Sequence, residues 1–390
     1  MTASKTTASL QPLAEKFVAQ FGATPIVVQA PGRVNLIGEH TDYNDGFVMP
    51  SAIQFQTTVG IAARGDDRLI ISSENYGAQV EFSMAGLPAT AKKHWSDYPV
   101  GVATKLRERG VRLPGAYLLI RGDVPQGAGL SSSASLEVAV CQGFLELIRE
   151  KMDGAEIALL CQRAENEFVG ARCGIMDQFV SVHAQKDHAL LLDCRNLEYS
   201  QQPLPDTVRL VICNTMVRHS LAGGEYNLRR QECEAGARFF AGKRAGVKAL
   251  RDVSMEEFEK YANALPESTR KRCRHVIGEN ARVVEAAEAL RQQDLARFGR
   301  LMRESHASLR DDFEVSCREL DEMVELAQEV EGVYGARMTG GGFGGCTVNL
   351  VKAESVERFK AKIEAGYERV SGRRPEVYVC AASDGVRRVQ

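Results

Sequence analysis

The chain has 390 residues, 44% of them hydrophobic, and 26% charged residues that sum to a formal net charge of -2; this is ample for more than one buried core and leaves no electrostatic footprint for nucleic acid or an anionic membrane. No apolar run of roughly 18 or more residues occurs, and the opening MTASKTTASL lacks both the apolar stretch of a secretory signal and the arginines of a transit peptide. The ten scattered cysteines form no C-x-x-C pair, so the expectation is a cytoplasmic, two-domain chain with a frayed N-terminal tail, reduced thiols, no zinc, small-molecule partners, and a monomeric or weakly homo-oligomeric state.

In chain order, β-branched runs at Ile26–Val28, Thr57–Ala63, Leu69–Ser72 and Tyr117–Ile120, set between Gly and Pro turns, predict strands. From Ser131 the period changes, and Leu136, Val140, Phe144 and Leu147 recur as one helical stripe. A second helix is expected over Ala155–Phe168. Strand-like His188–Asp193 and Val208–Cys213 flank the polar turn SQQPLPD, Ser200 to Asp206, which sets the expected domain boundary and divides the chain into 1–205 and 206–390. Beyond it, helices are expected over Glu225–Phe240, Val283–Met302 and Leu320–Val330, then strands over Ala336–Thr339 and Cys346–Val351. The mixture predicts a two-domain α+β architecture with its ligand in the cleft between domains.

Four stretches carry chemistry. PGRVNLIGEHTDYNDGF, Pro31 to Phe47, places Arg33, Glu39, His40, Asp42 and Asp45 on short, turn-rich backbone, a density of charge that is hard to bury as plain core. DVPQGAGLSSSASLEVAV, Asp123 to Val140, runs from strand through a small-residue loop into a helix. There Gly127 and Gly129 let the backbone approach an anion, and the helix N-terminus favours negative charge. Its serines either cap that helix or reach a divalent metal on a phosphate. A Walker loop is excluded, because no G-x-x-x-x-G-K-[ST] string exists. MTGGGFGGCTVNL, Met338 to Leu350, satisfies G-x-G-x-x-G at Gly340, Gly342 and Gly345, yet a strand-like CTVNLV comes next, where a dinucleotide fold would place a helix. QRAENEFVGARCGIMDQF, Gln162 to Phe179, sets Glu165 and Asp177 on either side of a turn at Gly174, one read as a metal ligand and the other as a catalytic acid.

Together these segments resemble the GHMP small-molecule kinase superfamily, and within it the galactokinase family: GRVNLIGEHTDYNDG is similar to the family's sugar signature, GLSSSAS to its phosphate-binding motif and GGGFGG to its third motif. The resemblance implies a two-domain GHMP kinase fold and ATP-dependent phosphorylation of the anomeric hydroxyl of galactose. It further implies that Glu39, His40, Asp42, Gly174 and Tyr226 bind the sugar, with Arg33 and Asp177 flanking the reacting hydroxyl as the catalytic pair. Asp177 would act as a base or as an electrostatic partner. Gly127, Ala128, Gly129, Leu130, Ser131, Ser132 and Ser133 would hold ATP, Trp95 and Tyr98 would lie beside adenine, and Ser133 and Glu165 would bind Mg²⁺. Two alternatives stay open at this point. One is a galactose-dependent sensor on the same fold, against which the Ser133–Ala134 pair argues. The other is a kinase for N-acetylgalactosamine or arabinose, against which Thr41, Asn44 and Asp45 argue.

Overall fold

The computed structural model of the protein describes residues 10–218 and 222–390. The tail expected to fray lies, up to residue 9, outside the described residues. The chain begins with α1 (Leu10–Phe21), β1 (Ile26–Asn35), β2 (Phe47–Val48), β3 (Pro50–Ala63), β4 (Arg68–Ser73) and β5 (Ala78–Ser83), then α2 (Asp97–Glu108) and β6 (Ala116–Gly122). Next come α3 (Ser132–Ile148), α4 (Gly154–Arg163), α5 (Met176–His183), β7 (His188–Asp193), β8 (Tyr199–Pro203) and β9 (Val208–Arg218). The second half holds α6 (Ala222–Ala241), α7 (Met255–Tyr261), α8 (Glu267–Arg291), α9 (Leu295–Ser308) and α10 (Arg318–Gln328), followed by β10 (Val333–Thr339), β11 (Gly344–Lys352), α11 (Val356–Ser371), β12 (Glu376–Cys380) and β13 (Arg387–Arg388).

These elements form an α+β structure with three sheets. The first runs β13-β1-β3-β6-β4-β5, the second β10-β11-β9-β12, and a small third one β2-β7-β8. Apolar residues of β3 and β6, among them Val59, Ile61, Leu118 and Ile120, pack against Val138 and Phe144 of α3 and Leu106 of α2 in one core. A second core joins the halves, where Val34, Leu36 and Ile37 in and after β1 meet Val283 of α8, Phe298 of α9 and Val348 of β11. The chain end returns to the first sheet, since β13 pairs with β1 through Val28 and Arg388.

Several expectations change. Val140 and Phe144 are buried as the stripe requires, but Leu136 and Leu147 are only half-buried, and Leu136 lines a cavity instead. The helix read over Val283–Met302 is two helices, broken where Gln293 adopts a left-handed conformation and Asp294 caps α9 by accepting from the Arg297 amide at 2.9 Å. That break contains no glycine or proline, which is why periodicity ran through it. The helix read over Ala155–Phe168 is α4 followed by a π-helical turn, Ala164–Val169, closed by left-handed Gly170. A π turn inserts one residue and so rotates the side chains beyond the insertion about the helix axis, and here it carries Glu165 inward to 8% exposure.

Candidate active site

The charged loop of the first motif is stiff because helix α8 clamps it. Glu279 accepts from the Gly38 amide at 2.9 Å, Asn280 accepts from the Phe47 amide at 2.9 Å, and the His275 ring lies 3.1 Å from the Glu39 carbonyl. Within the loop, Thr41 donates to the carbonyls of Gly38 and Phe47, and the Asn44 amide donates to the His40 carbonyl. His40 is held in a left-handed conformation with φ 63°, a strained state for a residue with a Cβ that persists where its surroundings enforce it.

From this loop Arg33, Glu39, His40 and Asp42 face a cavity of about 320 Å³. Gly127, Gly129 and Leu130 to Ser133 of the second motif, Gly174 and Asp177 of the fourth, Tyr226 of α6, and Gly340 and Gly341 of the third complete its wall. Both halves of the chain contribute. Arg33 is bidentate on Asp177, Nε to Oδ1 and Nη2 to Oδ2 at 2.8 Å each, and its third nitrogen donates to the Gly129 carbonyl at 2.7 Å. Such a fork fixes both partners in one plane. Glu39 is equally held: it accepts from the Gly340 amide at 2.7 Å, the Thr339 hydroxyl at 3.1 Å and the Asn35 amide at 3.0 Å, with buried Arg337 at 3.7 Å. The first and third motifs are thereby tied through one carboxylate. Gly174 allows a closer approach than any side chain would, since a Cβ there would lie 1.9 Å from Asp42 Oδ2.

The charges are unevenly compensated. Burial, reinforced by the charge of Asp177, pushes the Asp42 carboxyl up to about 7. Burial lowers His40 to about 3, with His275, Arg337 and Arg229 acting in the same sense and the Gly341 backbone against them. The imidazole is neutral, and its Nε2 has no partner among the described residues. Glu165 is raised, first by burial and then by Asp177, and fully buried Glu137 is raised well above the usual range by burial and by Glu165. The Gln178 amide donates to both, at 2.6 Å to Glu165 and 3.1 Å to Glu137.

A hard cation suits this corner. The Ser133 hydroxyl interacts with the Glu165 carboxylate, which gives two oxygen donors beside an excess of negative charge. No group of three or more His, Cys, Asp or Glu among the described residues is arranged to hold a metal; Mg²⁺, however, takes one or two protein oxygens and completes its octahedron with phosphate and water.

The serines do not cap α3. Ser131 sits at its N-cap in a left-handed conformation with no side-chain cap, and its hydroxyl donates instead to Asp177 Oδ2 at 2.5 Å. The amides at the start of α3 are thus left toward the cavity, as an anion site requires. The glycine-rich third motif turns between β10 and β11, as its strand-like flank implied, and presses on the 313–317 segment: a Cβ on Gly342 would meet the Val315 carbonyl at 2.3 Å, and φ is 85° there.

Trp95 and Tyr98 lie in a second cavity of about 320 Å³ that shares Gly127, Ser132 and Ser133 with the first. Trp95 stacks on Tyr76 at 5.6 Å between centroids and 12° between planes, and burial pushes the Tyr98 phenol up to about 12. Tyr76, in the turn after β4, was missed by sequence reading, as were Cys173 and Met176 of the first cavity; an aromatic in a polar turn is the one signal that could have raised Tyr76. Ala128 is buried, and Glu165 lies behind the first cavity and not in its wall. Asp45 is not in the wall either; it points out to an ion pair with Arg195 at 3.3 Å. Thr41 and Asn44 serve the loop's backbone.

Three family models match the chain: the galactokinase galactose-binding signature over residues 15–63, the GHMP kinases N terminal domain over 97–185 and the GHMP kinases C terminal over 286–369. A galactokinase of Roseiflexus sp. (strain RS-1) is 49% identical over 378 residues, which span 97% of this chain and 96% of the relative. The Lactococcus lactis galactokinase, solved in complex with galactose, matches with a TM-score of 0.94 at 37% identity, over 97% of this chain and 100% of that one. The Methanococcus jannaschii mevalonate kinase matches with a TM-score of 0.64 at 17% identity, over 93% and 99%, a likeness of fold alone.

Proposed function

The chain belongs to the galactokinase family of the GHMP kinases and phosphorylates galactose with ATP as co-substrate; from that premise we propose that Arg33 and Asp177 carry the transfer, at the floor of a cavity whose loop residues Glu39, His40, Asp42, Gly174 and Tyr226 hold the sugar. The observation that carries this is the bidentate Arg33–Asp177 pair where the sugar loop meets the phosphate loop. Phosphoryl transfer asks for alignment and charge stabilisation more than covalent chemistry. Arg33 is aimed by three hydrogen bonds, so its guanidinium is in place for the charge on the transferring group before substrates arrive. Asp177 keeps lone pairs free beside the anomeric hydroxyl and takes its proton as transfer proceeds.

The helix N-terminus from Ser131 to Ser133 and the loop from Gly127 to Leu130 hold the triphosphate, while Trp95 and Tyr98, joined by Tyr76, flank the base. Ser133 and Glu165 would hold Mg²⁺, which would supply positive charge to offset that of the phosphates. We assign residues 1–205 to a first domain and 206–390 to a second, with β13 completing the sheet of the first. We further place the enzyme in the cytoplasm, on its ten free cysteines; no helix among the described residues is long and apolar enough to cross a membrane.

The test is a panel of monosaccharides with ATP and Mg²⁺, read by ADP release. Galactose is expected to lead, with glucose, which differs at one hydroxyl, used at least about 100-fold less efficiently, as when a polar partner is misplaced. A faster turnover of arabinose or N-acetylgalactosamine than of galactose would assign the cavity to another sugar.

A further inference from the structure

His40 is 4% exposed and presents two different nitrogens: Nδ1 lies 2.8 Å from the Tyr43 hydroxyl, while Nε2 makes no hydrogen bond to a described residue, the Gly341 backbone of the cavity wall acting on the ring as an acceptor, and the residue lines the sugar cavity. A neutral imidazole has one N–H and one lone pair, and the partner of one nitrogen decides what the other offers. Were Nδ1 protonated, its N–H would point at the phenol oxygen, and the phenol proton would have no acceptor, since His40 is the hydroxyl's one hydrogen-bond partner among the described residues. Were the phenol the donor, both groups would be satisfied, and Nε2–H would face the cavity. A polar group left unpaired away from water is destabilising, which favours the second arrangement.

We propose that Tyr43 sets the tautomer of His40, so that the site meets one hydroxyl oxygen of the sugar with an Nε2–H donor. Tyr43 is absent from the cavity wall and acts through His40, so it is a positioning residue. Two features agree. Burial holds the Tyr43 phenol well above its usual range, so it keeps the proton to be donated. Three other groups of the wall, Glu39, Asp42 and Asp177, are carboxyls, and Arg33 spends three of its N–H groups on Asp177 and the Gly129 carbonyl, so His40 joins Tyr226 and the serine hydroxyls among the few side-chain donors that face the sugar. A hydroxyl carries one proton and two lone pairs; acceptors alone would leave the lone pairs of a buried sugar unmet. The ring is also locked in place: the Asn44 amide holds the His40 carbonyl at 2.9 Å and the Phe313 ring lies 4.7 Å from the imidazole.

The inference rests on the reading that this cavity takes galactose, and two measurements separate them. Nitrogen-15 NMR of histidine-labelled free enzyme reports the tautomer with no ligand present: wild type is expected in the Nε2–H form, and Tyr43→Phe in a mixture. Calorimetry with galactose is expected to give about tenfold weaker binding for Tyr43→Phe, with KM for ATP unchanged, and no additional loss when Tyr43→Phe is added to His40→Ala. The proposal is overturned if wild-type His40 carries Nδ1–H, if Tyr43→Phe leaves the tautomer as it was, or if Tyr43→Phe costs as much without His40 as with it, the mark of a merely structural role. Failure of wild type to bind galactose while His40 is in the Nε2–H form would overturn the sugar reading and leave the tautomer assignment standing.

Discussion

Gly174→Ala adds one methyl group at the point where the fourth motif touches the first. The backbone of Gly174 lies outside the left-handed region, so alanine fits its conformation without strain. The collision is with a side chain: the new Cβ would sit 1.9 Å from Asp42 Oδ2 and 2.1 Å from its Cγ. Ordinary contact begins at 3.4 Å, so the carboxylate must move by about 1.5 Å, roughly the scale at which misplacing a substrate-positioning group costs 100-fold in rate. The expectation is therefore a loss of about 100-fold in kcat/KM for galactose, equivalent to about 2.7 kcal/mol of transition-state stabilisation. The carboxylate can swing away, but the new Cβ would also lie 2.8 Å from Asp42 Cβ, which moves only with the backbone, so the loop must give slightly and the melting temperature should fall modestly. KM for ATP should stay within about threefold, because the added methyl faces the sugar loop and not the phosphate loop. Steady-state kinetics with each substrate varied in turn, together with a melting curve, separates these effects. A variant that keeps galactose kcat/KM within about threefold of wild type would show that Asp42 is not held where the sugar needs it, and the reading of that contact would be wrong.

Asp177→Asn is expected to keep the fold and galactose binding but to lose at least about 100-fold in turnover, because the amide removes both the proton acceptor and the charge facing Arg33; retention of a tenth of the wild-type rate would remove Asp177 from its role. Glu165→Gln should raise the Mg²⁺ concentration needed for half-maximal rate while leaving the galactose dissociation constant unchanged in calorimetry, and the reverse pattern would cancel the metal assignment. The Asp42 carboxyl, pushed up to about 7 by burial and then by Asp177, predicts a pH dependence of known sign. Its folded pKa lies above the unfolded value near 4, so the ligand-free protein binds the extra proton, and this group's contribution to stability is present below about pH 4 and lost as pH rises toward 7. The ionised carboxylate is the better acceptor for sugar hydroxyls, so galactose affinity should strengthen from about pH 6 to about pH 8. A flat affinity profile in wild type, or a sloping one that persists in Asp42→Asn, would refute this.

The sequence by itself determined the parts that are local. A run of small residues before an amphipathic helix is an anion site wherever it folds, because backbone N–H groups and the helix dipole are properties of that segment. Charged groups packed on turn-rich backbone pointed to a ligand, since burying them unpaired is too costly, and four of the five named on that ground, Arg33, Glu39, His40 and Asp42, line one cavity, Asp45 being the exception. What only the tertiary structure decided are relations between segments. Arg33 and Asp177 are 144 residues apart, and nothing in either neighbourhood specifies their fork. Asp45 looks as eligible as Asp42 on paper, but the left-handed turn at its position sends it outward to Arg195. Glu165 gains its inward position from a π turn that no periodicity reveals, and α8, read only in part, supplies the Glu279, Asn280 and His275 contacts that hold the sugar loop rigid. The serines, eligible as caps by spacing, were claimed by whatever the fold brought near, and for Ser131 that was Asp177. Side-chain chemistry is written residue by residue, but which groups meet is set by the packing of sheets and helices whose contacts are distant in the chain, and that packing is where a set of suitable residues became a site.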